Sequence, residues 1–150
     1  MKKTEHGFTL FELIITVAII GVLSGIATPL YIGYIKDGKV AKAAADIAKI
    51  SMDCARFKSD YGIYPGSLAD VHADQILDPW NKPYQYFRIE GSLETGMMRK
   101  DRFMVPINSD FDLYSKGADG KSLTPLQAKD SKDDVIRAND GGYIGLAEGY

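Results

Sequence analysis

The sequence predicts an α+β protein, in which one long N-terminal helix packs on a small antiparallel sheet followed by a C-terminal loop region. Three observations lead to this prediction. Residues 8–30 form an apolar run, a helical periodicity extends it to residue 61, and short strand-like segments bounded by turn residues follow. A length of 150 residues and a hydrophobic fraction of 45% fit one folded domain with one additional segment.

The apolar run carries hydroxyl side chains and a single charge, Glu12. Roughly 20 apolar residues are enough for a helix to cross a bilayer, so this segment is predicted to span a membrane. Lys2 and Lys3 precede it, which predicts a cytoplasmic N-terminus and an exported remainder. A cleaved secretory signal peptide is the alternative, but the run is too long and no Ala-x-Ala pattern follows Leu30.

Beyond residue 35 the pattern becomes periodic and predicts a helix with one buried stripe. Its apolar positions, at spacings of three and four, are Val40, Ala43, Ile47, Ile50, Cys54, Phe57 and Tyr61. Gly62 and Pro65 then provide a stop signal. Cys54 is the single cysteine of the chain, and we expect it to be an apolar filler of the stripe. A coiled-coil seam is the alternative, but the stripe is short for one.

The rest of the chain predicts a sheet with turn-rich connections. Residues 84–89, 103–107 and 111–115 are expected to form strands, and a short helix is expected around residues 67–74. Trp80 is expected to pack as an aromatic anchor in the turn before the first strand.

The heptapeptide Gly-Phe-Thr-Leu-Phe-Glu-Leu at residues 7–13 resembles the processing site of type IV pilins and type II secretion pseudopilins. The resemblance implies that a prepilin peptidase cleaves after Gly7 and that the new N-terminal residue, Phe8, is methylated. It also implies that Glu12 neutralises the α-amino group of a neighbouring subunit during assembly. A carboxylate in a bilayer costs at least ~2.5 kcal/mol and rarely lacks a partner, which independently favours a role for Glu12.

With that resemblance, the chain divides into four predicted segments. Residues 1–7 are a leader peptide, residues 8–35 a transmembrane and filament-core helix, residues 36–61 an amphipathic helix, and residues 62–150 an exported domain.

Two further segments resemble the major pseudopilins in particular. Residues 78–84 read Asp-Pro-Trp-Asn-Lys-Pro-Tyr, similar to an Asp-Pro-Trp-Gly-x-Pro-Tyr signature, and residues 114–120 read Tyr-Ser-Lys-Gly-Ala-Asp-Gly, similar to Tyr-Ser-x-Gly-x-Asp-Gly. Asn81 stands where the family usually has glycine, and asparagine accepts a positive φ.

The resemblance implies the pilin fold and a structural role in a helical pseudopilus filament of type II protein secretion. It implies a homo-oligomer that assembles after leader cleavage, with an inner-membrane assembly platform and minor pseudopilins as partners. The implied location is the bacterial inner membrane, with a single crossing and the C-terminal domain in the periplasm, where the assembled filament also lies.

The segment of residues 115–134 is rich in aspartate. By composition it is either a solvated acidic loop or a calcium site, and it does not match an EF-hand. The resemblance implies calcium held by Asp119, Asp133 and Asp134, with the Lys116 carbonyl as a fourth ligand. Residues 121–132 make the loop longer than in typical family members.

Other functions receive little support from the residues. A net charge of −2 does not indicate nucleic-acid binding. His6 and His72 are the only histidines, so the chain has few residues for histidine-based catalysis or zinc binding. A non-enzymatic role is therefore predicted. A type IV pilin for adhesion, motility or DNA uptake is the first alternative. An exported, membrane-anchored enzyme is the second.

Overall fold

The structure is a computed structural model that describes residues 7–102 and 106–150. Its helix α1 covers Leu10–Tyr61, which confirms the single long helix that the apolar run and the periodicity predict. The chain divides into two compact units, the first ending at Asp37 and the second covering Gly38–Tyr150. This division lies close to the predicted end of the apolar segment at residue 35.

The first unit consists of the apolar part of α1. Its most apolar stretch has a mean hydropathy of 2.4 and buries none of its residues within the chain, and α1 is long and apolar enough to cross a membrane. Large aliphatic side chains here are mostly exposed, among them Ile20 at 62% and Leu23 at 60%. Within the described part of the chain, nothing covers this apolar surface.

The second unit contains a four-stranded antiparallel sheet with the strand order β1-β2-β3-β4. The strands are β1 Gln85–Arg88, β2 Phe111–Ser115, β3 Val135–Ala138 and β4 Tyr143–Leu146. Register is set by pairs such as Tyr86 with Leu113, Tyr114 with Ile136, and Ile136 with Gly145. Each strand pairs with its sequence neighbour, so the sheet is a simple meander.

The part of α1 that belongs to the second unit covers this sheet. Ala43, Ile47, Ile50 and Cys54 are fully buried, in one cluster with Phe111, Leu113 and Val135. Complete burial of an aliphatic side chain stabilises a fold by about 1.5–3 kcal/mol, so the stripe holds helix and sheet together. The predicted stripe is confirmed at these four positions. Tyr61 is 69% exposed, so the prediction is wrong at the last position, where the helix ends.

The predicted strands 84–89 and 111–115 are confirmed as β1 and β2, and the expected short helix is the 3₁₀ turn Leu68–Val71. The predicted strand 103–107 falls partly outside the described residues, and its remaining positions, 106 and 107, are not in a strand. The C-terminal region was predicted as loop, yet it contributes β3 and β4. Its other regular elements are the 3₁₀ turns Lys129–Ser131, Asn139–Gly141 and Ala147–Gly149.

A buried ion pair fixes β3 beside the start of β2. The Arg137 guanidinium donates to both carboxylate oxygens of Asp110, at 2.7 and 2.6 Å, and lies 4.1 Å from the centre of the Phe111 ring. A charged residue in the middle of a four-residue strand is tolerated because this bidentate partner compensates its burial.

Candidate assembly site and acidic loop

The predicted cleavage site lies directly before α1. Gly7, Phe8 and Thr9 have no regular secondary structure, and Phe8 is 75% exposed. Exposed, irregular backbone is where proteolysis occurs most readily. The bond between Gly7 and Phe8 is therefore accessible in this structure, and its cleavage and the methylation of Phe8 stay predictions.

Glu12 lies in the first turn of α1 and is bound by its own chain. Its Oε2 accepts hydrogen bonds from the Thr9 N–H at 2.9 Å and from the Thr9 hydroxyl at 2.8 Å. The Glu12 N–H donates to Thr9 Oγ1 at 3.2 Å. This reciprocal arrangement is a capping box, which satisfies free N–H groups at a helix start.

Thr9 was not among the predicted site residues, although a Thr-x-x-Glu spacing ahead of an apolar run is the sequence signature of a capping box. The two hydrogen bonds come from neutral donors, so they orient the carboxylate of Glu12 without cancelling its charge. The charge also lies at the positive end of the helix dipole, which favours it there. The structure thus holds one oriented anion at the tip of an apolar helix.

The two pseudopilin-like segments meet in space. Asp78 Oδ1 accepts hydrogen bonds from the N–H groups of Trp80 and Lys82, both at 2.9 Å. The other carboxylate oxygen of Asp78 accepts one from the Ser115 hydroxyl, which in turn accepts one from the Gly117 N–H at 3.1 Å. The two turns therefore form one hydrogen-bonded unit beside β2, an arrangement that their sequence separation concealed.

Backbone geometry explains several residues of these turns. Asn81 has a φ of 62°, which confirms that asparagine serves in place of glycine. Gly117 has a φ of 61°, and a Cβ there would overlap the Asp133 carbonyl. Gly120 has a φ of 73°, and a Cβ there would overlap the Lys82 side chain. Trp80 packs against the main core cluster, as predicted.

Three of the four predicted calcium ligands lie close together but are engaged with the backbone. Asp119 Oδ1 accepts a hydrogen bond from the Lys121 N–H at 2.7 Å, and the Asp119 N–H donates to Asp133 Oδ2 at 3.1 Å. The Lys116 carbonyl accepts a hydrogen bond from the Gly120 N–H at 3.2 Å, closing the turn.

The fourth predicted ligand, Asp134, is fully buried and faces an arginine. Its Oδ2 lies 2.6 Å from Arg99 Nη2 and accepts a hydrogen bond from the Ser122 hydroxyl at 2.6 Å. Burial raises the pKa of Asp134 to about 6, because the low-dielectric surroundings disfavour the charge more than Ser122 and Arg99 favour it. Asp134 Oδ1 is buried without a hydrogen-bond partner among the described residues.

The calcium site that the resemblance implies would need about six to eight oxygen ligands around one ion. Within the described ranges, no group of three or more His, Cys, Asp or Glu side chains is placed to hold a metal ion. The Lys82 ammonium lies 3.3 and 3.1 Å from the carbonyls of Gly117 and Ala118. The unpartnered Asp134 Oδ1 suits a cation, but the set as a whole does not fit a calcium site. Calcium binding stays a prediction.

Cys54 is fully buried in the helix stripe. Burial raises the pKa of its thiol to about 12, so it remains protonated and unreactive near neutral pH. Its expected role as an apolar filler is confirmed.

Comparison with known proteins gives two kinds of match. Residues 2–28 match the family model described as the prokaryotic N-terminal methylation motif. The chain is 30% identical to type II secretion system core protein G of Pseudomonas aeruginosa over 141 residues, covering 80% of this chain and 88% of that protein.

Core protein G of Dickeya chrysanthemi is 26% identical over 145 residues, covering 94% of this chain and 91% of that protein. The type IV major pilin protein PilE of Neisseria gonorrhoeae is 25% identical over 150 residues, covering 97% of this chain and 89% of that protein. No solved structure matches the chain significantly.

Proposed function

Because the chain belongs to the pilin-like family that includes type II secretion system core protein G, we propose that it is a structural subunit of a helical pseudopilus filament. One observation carries this proposal most directly. An oriented carboxylate, Glu12, stands at the start of a helix whose apolar surface is uncovered within the chain. Such a surface needs either lipid or the same helix of sister subunits around it.

The proposed sequence of events begins in the membrane. The apolar part of α1 anchors the precursor in the bacterial inner membrane, with its N-terminus in the cytoplasm and the second unit in the periplasm. A prepilin peptidase cleaves after Gly7 and methylates Phe8. Before assembly, the hydrogen bonds from Thr9 hold the Glu12 carboxylate in place.

Assembly then exchanges a neutral partner for a charged one. The new α-amino group of Phe8 on a neighbouring subunit is a cation. When it approaches Glu12, it neutralises the carboxylate charge, which the hydrogen bonds from Thr9 orient but do not neutralise. In apolar surroundings this attraction is stronger than in water, so it fixes the axial register between subunits. The other proposed partners are the inner-membrane assembly platform and minor pseudopilins.

A non-enzymatic role is part of the proposal. The related proteins are named as pilins and as core proteins of a secretion system. The exported domain has one histidine, His72, so histidine-based catalysis has little material there.

The first experiment replaces Glu12 with Gln in cells that carry the matching secretion machinery. We expect normal cleavage, measured by mass spectrometry of the N-terminus, but loss of the filaments that electron microscopy detects after shearing. Thr16→Ala is the matched control, since among the described residues the Thr16 hydroxyl donates only to the Leu13 carbonyl of the same helix, at 2.8 Å. Filaments at the usual level in the Glu12→Gln strain would contradict the assembly role.

Cleavage itself is tested by Gly7→Ala. The expected result is an uncleaved precursor that stays in the membrane and forms no filament. Normal processing of this variant would remove the prepilin argument.

A type IV pilin is the second candidate function, favoured by the similarity to PilE over nearly the whole chain. Deletion of the gene separates the two. A secretion pseudopilin is required for export of folded proteins, whereas a pilin is required for adhesion, motility or DNA uptake.

A further inference from the structure

A buried arginine lies at the base of the acidic loop of residues 116–134. The Arg99 side chain is 3% exposed, and its guanidinium contacts the middle and the last residue of the loop. Nη1 donates to the Ser122 hydroxyl and, at 2.9 Å, to the Leu123 carbonyl, while Nη2 donates to Asp134 at 2.6 Å. One planar cation therefore bridges the middle of the loop to its last residue.

The same arginine is fixed to the sheet. The backbone N–H of Arg99 donates to Asp112 Oδ2 in β2 at 2.7 Å, and the guanidinium lies 4.2 Å from the centre of the Tyr114 ring. The next residue, Lys100, pairs with the loop backbone through hydrogen bonds with Thr124 at 3.0 Å and Leu126 at 2.9 Å. These contacts with the sheet restrict the Arg99 side chain independently of the loop. Its hydrogen bonds to the loop therefore cost little rotamer freedom.

The position of this guanidinium competes with a metal ion. Asp134 is one of the four ligands that the family resemblance implies, and one of its oxygens is already paired with Arg99 and Ser122. A second chain cation, Lys82, occupies the carbonyls of the adjoining turn. A divalent ion would have to enter beside two positive charges that the protein itself supplies.

We propose that the Arg99 guanidinium, and not a calcium ion, is the cation that closes the loop of residues 116–134 onto the sheet. The exported domain then folds without metal, because the cation that ties the loop to the sheet is part of the chain. The planar guanidinium also has directional N–H groups, which a spherical ion lacks, and here they donate to a hydroxyl, a carbonyl and a carboxylate. This inference does not depend on filament assembly, since its readout is the unfolding of the exported domain.

The test is thermal unfolding of the full chain in detergent, followed by circular dichroism and Trp80 fluorescence. With excess EDTA and with millimolar calcium chloride, the melting temperature of the unaltered chain is expected to be the same. A fall with EDTA, or a rise with calcium that magnesium does not reproduce and Asp119→Ala removes, would overturn the proposal.

Variants of the arginine complete the experiment. Arg99→Met is expected to lower the melting temperature by at least about 10 °C, because it leaves the Asp134 carboxylate buried and unpaired. Arg99→Lys keeps the positive charge but cannot donate from two nitrogens at once. Its melting temperature should fall nearly as much. Arg102→Met, at an exposed position nearby, is the control and should melt with the unaltered chain.

If Arg99→Met does not fold, the double variant Arg99→Met with Asp134→Leu keeps the test decisive. Removing both charges together avoids the unpaired carboxylate, so this variant should fold and melt at a higher temperature than Arg99→Met alone. A chain in which Arg99→Met melts like Arg102→Met would show that the guanidinium does not close the loop.

Discussion

The two parts of α1 share one secondary structure and differ in what covers their apolar side chains. Before Asp37, Ile20 and Leu23 are about three-fifths exposed, at 62% and 60%. After Gly38, Ile47 and Ile50 are fully buried against the sheet. The same type of aliphatic side chain thus faces outward from the chain in one part and inward in the other.

The difference teaches that helix formation and burial are separate events in this protein. Helical hydrogen bonds are local and form along the whole of α1, whereas burial needs a partner surface. The second unit carries its partner, the sheet, in the same chain. The first unit must find its partner elsewhere, which is why a membrane or sister helices belong to its proposed function.

The strongest test of this contrast removes residues 1–37. The remaining chain, residues 38–150, should stay in solution without detergent and unfold in one cooperative transition, because its core is complete. The full chain should require detergent. Solubility and thermal unfolding of the two forms measure this. A shortened chain that aggregates or unfolds without cooperativity would show that the second unit depends on the first.

The buried and exposed sides of the helix can be compared through thiol reactivity. Cys54 should react with maleimide about a thousandfold more slowly than an exposed cysteine, since a pKa raised from 9.0 to about 12 lowers the thiolate fraction tenfold per unit. Met52 is 72% exposed, so Met52→Cys in a Cys54→Ala chain provides the exposed comparison. Both thiols should react equally fast in denaturant. Equal rates in the folded chain would contradict the burial of the stripe.

The same side-chain substitution in each part of α1 provides a further test of the difference in burial. Ile47→Ala should lower the free energy of unfolding of the second unit by about 2–5 kcal/mol, because it removes a fully buried side chain and leaves a cavity. Ile20→Ala makes the same change in the exposed part and should leave that free energy unchanged. Denaturant titration of both variants in detergent gives the comparison. A large effect of Ile20→Ala would mean that the first part is buried by the domain after all.

The smallest expected effect concerns the end of α1. Lys58 lies 2.6 Å from Glu90, and this hydrogen bond holds the pKa of Glu90 below its usual value. A lowered pKa in the folded state contributes stability above the ordinary pKa of glutamate, and that contribution is lost as the pH falls through the folded value.

The melting temperature of Glu90→Gln should therefore be slightly lower than that of the unaltered chain at neutral pH, and the difference should vanish in acid. Glu94→Gln is the control, because Glu94 is exposed and forms no ion pair with any described residue. A difference that grows in acid would show that the pair does not act in this way.

Sequence reasoning reached much of the site at the N-terminus. The cleavage site, Glu12 and the helix stripe are contiguous or periodic patterns. The structure places Glu12 and the stripe in α1 and the cleavage site directly before it. Thr9 could have been found in the same way from its spacing to Glu12. Arg99 could not, because nothing in the local sequence distinguishes it from its basic neighbour Lys100, and its partner Asp134 lies 35 positions away.

The C-terminal strands were missed for a related reason. β3 and β4 have four residues each, β3 carries Arg137, and both are flanked by residues typical of turns. The Asp140-Gly141 pair was a signal for the hairpin between them. Strands of this length have little stability of their own and exist because each pairs with a neighbour and packs on a core.

The sequence alone therefore determined the long helix, its division into an exposed and a buried part, and the family, since these depend on local patterns of apolar side chains and on contiguous motifs. Only the tertiary structure decided which carboxylates pair with Arg99 and Arg137 and how the C-terminal region completes the sheet. Those choices arise from contacts between distant parts of the chain, where burial makes a charge depend on the one partner within hydrogen-bond reach.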